Sequence, residues 1–522
     1  MLTTIFSTTS SPTSAALEIL AALVLFQICQ ALYSAWLRPL AKIPGPRLPT
    51  ATSLWIRWQR WHGRLSFEAD KLLTKYGPIV RIAPNIVLVN DVESVQTLFA
   101  RQDLDTAPKA IRALRIGGHD WTVTYPENTI ARPRRRPVMV ATTNKALRYW
   151  QPMFEKNVVQ MVINLGASQG KKPEDIVYHL RIATLLNSQL VMAGPQTDLE
   201  PGDFPHAVGE YNFLVVWRLC LPGWLFEWLK SSPFRHAAYR VRSSDYLFQI
   251  GKEVAEEAKN YAGDGDASTV YELLLKNMSK EPFGDSPAEV GAEMAGQILA
   301  ATETTSSALA FIFYYLAGEP ALVDALYEEL QTVEGFSGLE NLKLLNACIT
   351  EGLRFRPPVA LTGSRVVPSG GLNILGYYLP GGTVVTTQSL SLSRQRPDLF
   401  PNYDEFDPMR WLDDDEKLIS ERRRCLAPFG LGARRCPGGN MASFQMRMIL
   451  AAVFRAFRVS VAPETTPLSM APFEANGFRS RQDACHLIFT PRDLDPQPGP
   501  KGCECGTECP CVECHCVHYE DH

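Results

Sequence analysis

The first hydrophobic pattern in the chain is an unbroken one. Residues 19–37, ILAALVLFQICQALYSAWL, carry no charge, and only Gln27, Gln30 and Ser34 are polar. As a helix rising 1.5 Å per residue this run spans about 28 Å, close to the hydrocarbon thickness of a bilayer. It predicts one transmembrane helix over 19–37, preceded by a lumenal N-terminus, 1–18. No Lys or Arg precedes the run, so the positive n-region of a cleaved signal peptide is missing. Arg38, Lys42 and Arg47 follow it, which assigns the bulk of the chain to the cytosol. Pro44, Pro46 and Pro49 then prevent any continuation of the helix and predict a stiff hinge over 38–50.

Beyond the hinge the pattern changes period. YGPIVRIAPNIVLVNDVESV (76–95) reads as two short β-rich runs broken at Pro84–Asn85. From about 140 to 335 the apolar positions recur at helical spacing. EVGAEMAGQILAATETTSSALAFIFYYLAG runs from Glu289 to Gly318 without a proline, long enough to be a central helix crossing a whole domain. After Pro357–Pro358 come short β runs, NILGYYLPGGTVVTT, and then an irregular Pro/Asp-rich stretch over 396–415. The expected body is mainly α with a small β part, preceded by one transmembrane helix.

Composition adds little to this. The chain has 522 residues, 46% of them hydrophobic, and a net charge of -3, which argues against a nucleic-acid partner. No Ser/Gly-rich linker divides the interior, so 51–492 is expected as one large catalytic domain. Six of the twelve cysteines (Cys29, Cys220, Cys348, Cys425, Cys436, Cys485) are scattered, mostly in apolar runs, as reduced cytosolic cysteines are.

One of them stands apart. In FGLGARRCPGG (429–439), Gly430, Gly432, Gly438 and Gly439 surround Cys436, and Arg434 and Arg435 adjoin it. Glycines let backbone N–H groups turn toward one point, and positive charge keeps a thiolate ionised. The helical run NMASFQMRMILAAVFRAF follows, so the sulfur sits just ahead of a helix N-terminus, where an anion is favoured. A zinc site needs three or four ligands, and no second Cys or His lies within ten residues. The loop is built for a single anionic sulfur ligand.

This loop resembles the heme-ligand signature of the cytochrome P450 family, F-x-x-G-x-R-x-C-x-G, matched by Phe429, Gly432, Arg434, Cys436 and Gly438. Three more stretches share the resemblance and its order along the chain. AATETT (300–305) looks like the family's oxygen-activation motif, with Glu303 and Thr304 as the acid–alcohol pair. Ala301 stands where the family usually has Gly, and its methyl narrows the groove for oxygen. EGLR supplies Glu351 and Arg354 at i, i+3, and FDPMRW supplies Arg410, together the family's structural Glu–Arg–Arg triad. ERRR (421–424) has the same i, i+3 spacing but lacks that context. YGPIVRIAPN and RPDLFPNYDEFDPMRW are similar in style to filamentous-fungal microsomal members.

The resemblance implies heme b with Cys436 as axial ligand. It also implies electrons from NADPH through NADPH–cytochrome P450 reductase, with cytochrome b5 as a further partner, and a small lipophilic substrate. The implied place is the endoplasmic reticulum membrane, single-pass, with the catalytic domain cytosolic. Heme propionates require cations: Arg434, Arg365 in LTGSRVVPSGG, and Arg134 or Arg135 in IARPRRRPVM are the candidates, with Arg134 expected from the last, although Pro133 interrupts that match. Basic residues near the cysteine, Arg134, Arg422, Arg423 and Arg435, are expected to attract an acidic electron donor. Gln297, Ile298, Val359, Ala360 and Leu361 are expected to face the substrate.

The expected activity is insertion of one oxygen atom of O2 into a lipophilic small molecule, as a step in fungal secondary-metabolite biosynthesis. The alternatives are a relative of the same fold that isomerises or dehydrates without O2, and a metal-buffering membrane protein. The last rests on the tail, 493–522, where Cys503, Cys505, Cys509, Cys511, Cys514 and Cys516 form three C-x-C pairs. Soft metals suit such sulfurs, but no apolar residues are present there to build a fold around a metal, and a disordered appendage is the leading reading of that stretch.

Overall fold

The computed structural model of the protein describes residues 12–36, 39–195, 202–261, 267–278 and 286–492. The cysteine-rich tail lies outside them, so its metal reading has no structural counterpart here.

Helix α1 (Pro12–Trp36) contains the apolar run, and Ala16–Ser34 is long and apolar enough to cross a membrane. Its apolar side chains, Leu20, Leu25 and Phe26 among them, are exposed. Its C-terminal end docks on the domain: Ser34 is buried, donates to Thr50 O at 2.9 Å and accepts from Arg81 Nη2 at 3.0 Å.

Arg81 lies on β1 (Ile79–Ala83), which forms the expected hairpin with β2 (Ile86–Val89). The run after Pro358 contributes β3 (Leu361–Val366) and β4 (Val384–Gln388). The four strands make one sheet in the order β1-β2-β4-β3, with β2 and β4 parallel and the outer pairs antiparallel. A small hairpin, β5 (Pro472–Glu474) and β6 (Phe478–Ser480), completes the strands that concern the site.

The helical body is built from α2 (Asn128–Ala141), α3 (Asn144–Gly166), α4 (Ile176–Ala193), α5 (Phe204–Cys220), α6 (Arg235–Ala258), α7 (Pro287–Ala317), α8 (Lys343–Phe355) and α9 (Gly439–Ala456). α7 is the predicted central helix. Pro287 starts it, where a missing N–H costs nothing, and Glu289 in its first turn suits the positive end of the helix dipole. It packs on α4, α6, α8 and α9. Its apolar end, Ala308–Phe313, lies in the protein core rather than in lipid.

Candidate active site

The Cys436 loop is shaped by two glycines at positive φ, Gly430 at +69° and Gly432 at +60°. A Cβ on Gly432 would stand 2.2 Å from the Phe99 carbonyl oxygen, so no other residue fits. Cys436 N donates to Phe429 O at 2.7 Å and Arg435 N to Gly432 O at 3.0 Å, closing the loop. Gly438 caps α9, and a Cβ there would meet nothing within 4 Å.

Cys436 lines a cavity of about 330 Å³, and its side chain is exposed to that space. Burial pushes its thiol up, while the Gly438 backbone N–H, Arg135 and Arg435 favour the thiolate. One stripe of α7 forms a wall of the same cavity: Gln297, Ala300, Ala301, Thr304, Thr305 and Ala308 recur at the spacing of one helix face. Phe429, Gly438 and Val359 line it too, whereas Ile298, Ala360 and Leu361 do not and pack elsewhere in the interior.

Three guanidiniums lie on the cavity wall: Arg135, Arg365 and Arg434. Arg365 donates to Gly363 O at 2.9 Å and sits over the Phe99 ring. Arg434 donates to Tyr125 O at 3.0 Å, to Pro126 O at 2.7 Å and to Asn128 Oδ1. Arg135 donates to Ala433 O. Among the described residues none of the three forms an ion pair with a carboxylate. Burial, together with Arg434 and Arg135, pushes Arg365 down to about 10. Burial and Arg135 push Arg434 down to about 10 as well, against Asp105, Asp103 and Glu127.

Arg134 does not share this position. α2 turns it away from the cavity to pair with Glu289 at 2.8 Å and to stack on Tyr125, so the arginine that α2 presents to the cavity is Arg135. Two members of the expected basic docking face are likewise interior. Arg134 is buried, and Arg422 is buried while donating to Leu399 O and Arg410 O. Arg423 and Arg435 are exposed.

The structure also separates Glu303 from Thr304. Thr304 is on the cavity wall, its hydroxyl donating to Ala300 O at 2.8 Å. Glu303 faces the other way, into a fork from Arg181 of α4: Nε to Oε2 at 3.0 Å and Nη2 to Oε1 at 3.1 Å. Arg181 is shared with Asp483, just past β6, through Nη1 at 3.0 Å and Nη2 at 2.8 Å, and Arg479 pairs with Asp483 in turn. Burial works against the Arg181 charge, but Glu303 and Asp483 outweigh it and hold the guanidinium above its ordinary range. This network was not anticipated. Its signal is Arg181 itself, a lone charge in the apolar stretch IVYHLRIATLL, which demands a buried partner.

The expected triad forms completely. Arg354 donates to both oxygens of Glu351 at 2.8 Å, and Arg410 Nε to Oε1 at 3.1 Å. Trp411 Nε1 and the Asp407 backbone N–H add bonds at 2.9 Å each, and the three charged side chains are buried. Arg424 of the rival ERRR pairs instead with exposed Glu93.

A single cysteine, three guanidiniums and a helix wall with a hydroxyl share one largely apolar cavity. The profile of the family described as cytochrome P450 matches residues 44–484. The chain belongs to that family. It is 27% identical over 457 residues to cytochrome P450 monooxygenase efuB of Hormonema carpetanum, covering 84% of this chain and 89% of that one. It is 26% identical over 465 residues to cytochrome P450 monooxygenase cpaH of Aspergillus oryzae, covering 84% and 87%. In fold it is similar to retinoic acid bound cyanobacterial CYP120A1, with a TM-score of 0.66 and 20% identity, over 80% of this chain and 92% of that one. The protein is a heme-thiolate monooxygenase, an oxidoreductase that incorporates oxygen from O2 into a small molecule with electrons from a reductase.

The residues present fit heme. One sulfur ligand, three guanidiniums without carboxylate partners and the open space at Gly438 match a flat iron macrocycle that brings two carboxylates.

Proposed function

We propose that Cys436 supplies the axial thiolate, that Arg135, Arg365 and Arg434 bind the two heme carboxylates, and that Phe429, Gly432 and Gly438 shape the sulfur loop. When bound, heme supplies the oxygen-activating chemistry of the family. The residues around it exclude water and hold the substrate: Ala300, Ala301 and Val359 give the cavity an apolar lining suited to a lipophilic molecule. Thr304 keeps its hydroxyl hydrogen on Ala300 O and presents it to the cavity by rotation about χ1. Glu303 stands one residue behind; when a carboxylate oxygen leaves the Arg181 fork it takes a proton from solvent water and passes it toward Thr304.

The observation that carries this reading is one cavity shared by Cys436, the guanidiniums and Thr304. The test is the CO-difference spectrum of the reduced protein. A thiolate-type band that disappears in Cys436→Ala is expected; no band, or one that survives the substitution, overturns the assignment.

We further propose a role in fungal secondary metabolism, and anchoring in the endoplasmic reticulum membrane by α1 with the domain cytosolic and NADPH–cytochrome P450 reductase as donor. The apolar, exposed surface of α1 supports the anchor. Extraction of the chain by alkaline carbonate would overturn it. The clamped Glu303 and Ala301 favour a second reading, isomerisation or dehydration without O2. Turnover that persists anaerobically without NADPH would establish that instead.

A further inference from the structure

α7 carries a second buried carboxylate, and it has no part in the chemistry proposed above. Glu293 accepts the Thr122 backbone N–H on Oε2 at 2.7 Å and the Gln297 side-chain amide Nε2 on Oε1 at 2.7 Å. Glu293 is 2% exposed and Gln297 6%, so both are walled in on nearly every side. Gln297 nevertheless lines the cavity. An amide can turn either end toward a neighbour, and Glu293 decides which: with both its oxygens acting as acceptors, it takes the nitrogen. The carbonyl end of Gln297 is left for the cavity, and no described residue donates to it.

The surroundings make this acceptor distinctive. The cavity it faces is lined by Ala300, Ala301 and Ile111 among others. Thr122 gives its hydroxyl hydrogen to Arg134 O, and Thr304 gives its own to Ala300 O. A carbonyl that faces an apolar cavity meets few donors there, and a ligand that brings one gains a directional hydrogen bond. Gln297 and Thr304 share one face of α7 two turns apart, roughly 10 Å along the axis at 1.5 Å per residue.

We infer that Gln297 Oε1 is a specificity-determining acceptor, and that the substrate is a lipophilic molecule bearing a hydroxyl or N–H donor roughly 10 Å from the position oxidised. Glu293 is a positioning residue that acts through Gln297. The inference deepens the monooxygenase reading and rests on its placing the reacting end of the cavity beside Cys436 and Thr304.

The test uses the heme-loaded full chain and matched probes: farnesol, geranylgeraniol and a tricyclic diterpene alcohol, each against its own methyl ether. Binding is followed by calorimetry and by the heme absorbance shift. At least one alcohol is expected to bind roughly tenfold more tightly than its ether. In Gln297→Leu and in the longer Gln297→Met, that ratio falls to about one while the ether still binds. A wild-type chain that prefers no alcohol, absence of all binding included, overturns the inference. So does a preference that survives both substitutions. The CO-difference spectrum, recorded first on every variant, keeps the two readings apart. Loss of the thiolate band in the wild type overturns the heme assignment. An intact band without alcohol preference overturns only the role of Gln297.

Discussion

Arg181 grips Glu303 with two hydrogen bonds at 3.0 and 3.1 Å, one to each carboxylate oxygen, and the same guanidinium grips Asp483 with two more. A carboxylate held this way serves as an anchor between α4 and α7, as a proton relay, or as both, and the two roles respond differently to substitution. Glu303→Gln preserves shape and removes the acid. As a relay member it should slow product formation about a hundredfold, with the CO band retained and the melting temperature lowered only in part, because Arg181 keeps Asp483. Steady-state turnover beside a thermal melt checks this, and an unchanged rate would assign Glu303 to anchoring alone. Arg181→Ala leaves Glu303 without its cation, while Asp483 keeps Arg479, and should cost about 3 kcal/mol of stability.

The Glu351 cluster makes the opposite kind of prediction, because nothing in it touches the cavity. Arg354→Lys keeps the charge but loses the fork that spans both carboxylate oxygens and the bonds to Tyr403 O and Glu405 O. Glu351→Gln leaves two buried guanidiniums without their anion. Each should cost about 3–5 kcal/mol and lower the heme-loaded fraction of purified protein, read as heme absorbance per unit protein. Full loading at wild-type stability in either variant would deny the cluster its structural role.

Much of this was legible from residue order, and the boundary of legibility is physical. The Cys436 loop, the 76–95 hairpin, the central helix and the Glu351 triad all rest on local rules: glycine spacing, period and i, i+3 pairing. The cavity stripe of α7 follows from the same period, since Gln297, Ala300, Thr304 and Ala308 fall on one face and Glu303 does not. What the order of residues did not settle was rotation and partner choice. Adjacent Arg134 and Arg135 differ by about 100° around α2, and Glu289, which draws Arg134 aside, lies far off in sequence on α7. Arg422 reads as a surface charge in ERRRC, yet it is buried because Leu399 and the Pro408–Trp411 turn close over it, their carbonyls accepting from its guanidinium. Asp483, the second carboxylate on Arg181, is remote from it in sequence and became visible only in three dimensions.

The two glycines flanking the sulfur should fail in different ways. Gly432→Ala forces a Cβ to within 2.2 Å of Phe99 O at a φ of +60°, a doubly unfavourable position. The loop must move, and the heme-loaded fraction should fall to near zero. Gly438 has an ordinary φ of −90° and open space beside it. Gly438→Ala should fold normally and lose heme faster, because its methyl enters the cavity rather than the protein. Heme transfer to an acceptor protein, timed by absorbance, separates the two; equal behaviour would contradict the assignment of Gly438 to the cavity wall.

The rim guanidiniums predict a reversal of sign between heme-free and heme-loaded protein. Arg365 is buried beside Arg434 and Arg135, and the three lack a carboxylate partner among the described residues. Without an anion the folded state carries their repulsion and desolvation, and the unfolded state does not. Arg365→Gln should therefore stabilise the heme-free chain, by roughly 2 kcal/mol. In the loaded protein the same substitution removes a partner of a heme carboxylate and should destabilise. The pH dependence follows from the direction of the shift. A base whose folded pKa is depressed binds protons more readily when unfolded, so its unfavourable contribution is constant while both states are protonated. It is relieved only as pH rises through the folded value, about 10 for Arg365 and Arg434. The stability gap between wild type and Arg365→Gln in the heme-free form should be flat from pH 7 to 9 and should narrow above about 10. Urea denaturation of both chains, with and without heme, measures it. A gap of the same sign in both forms would mean that Arg365 is not answering the heme carboxylates.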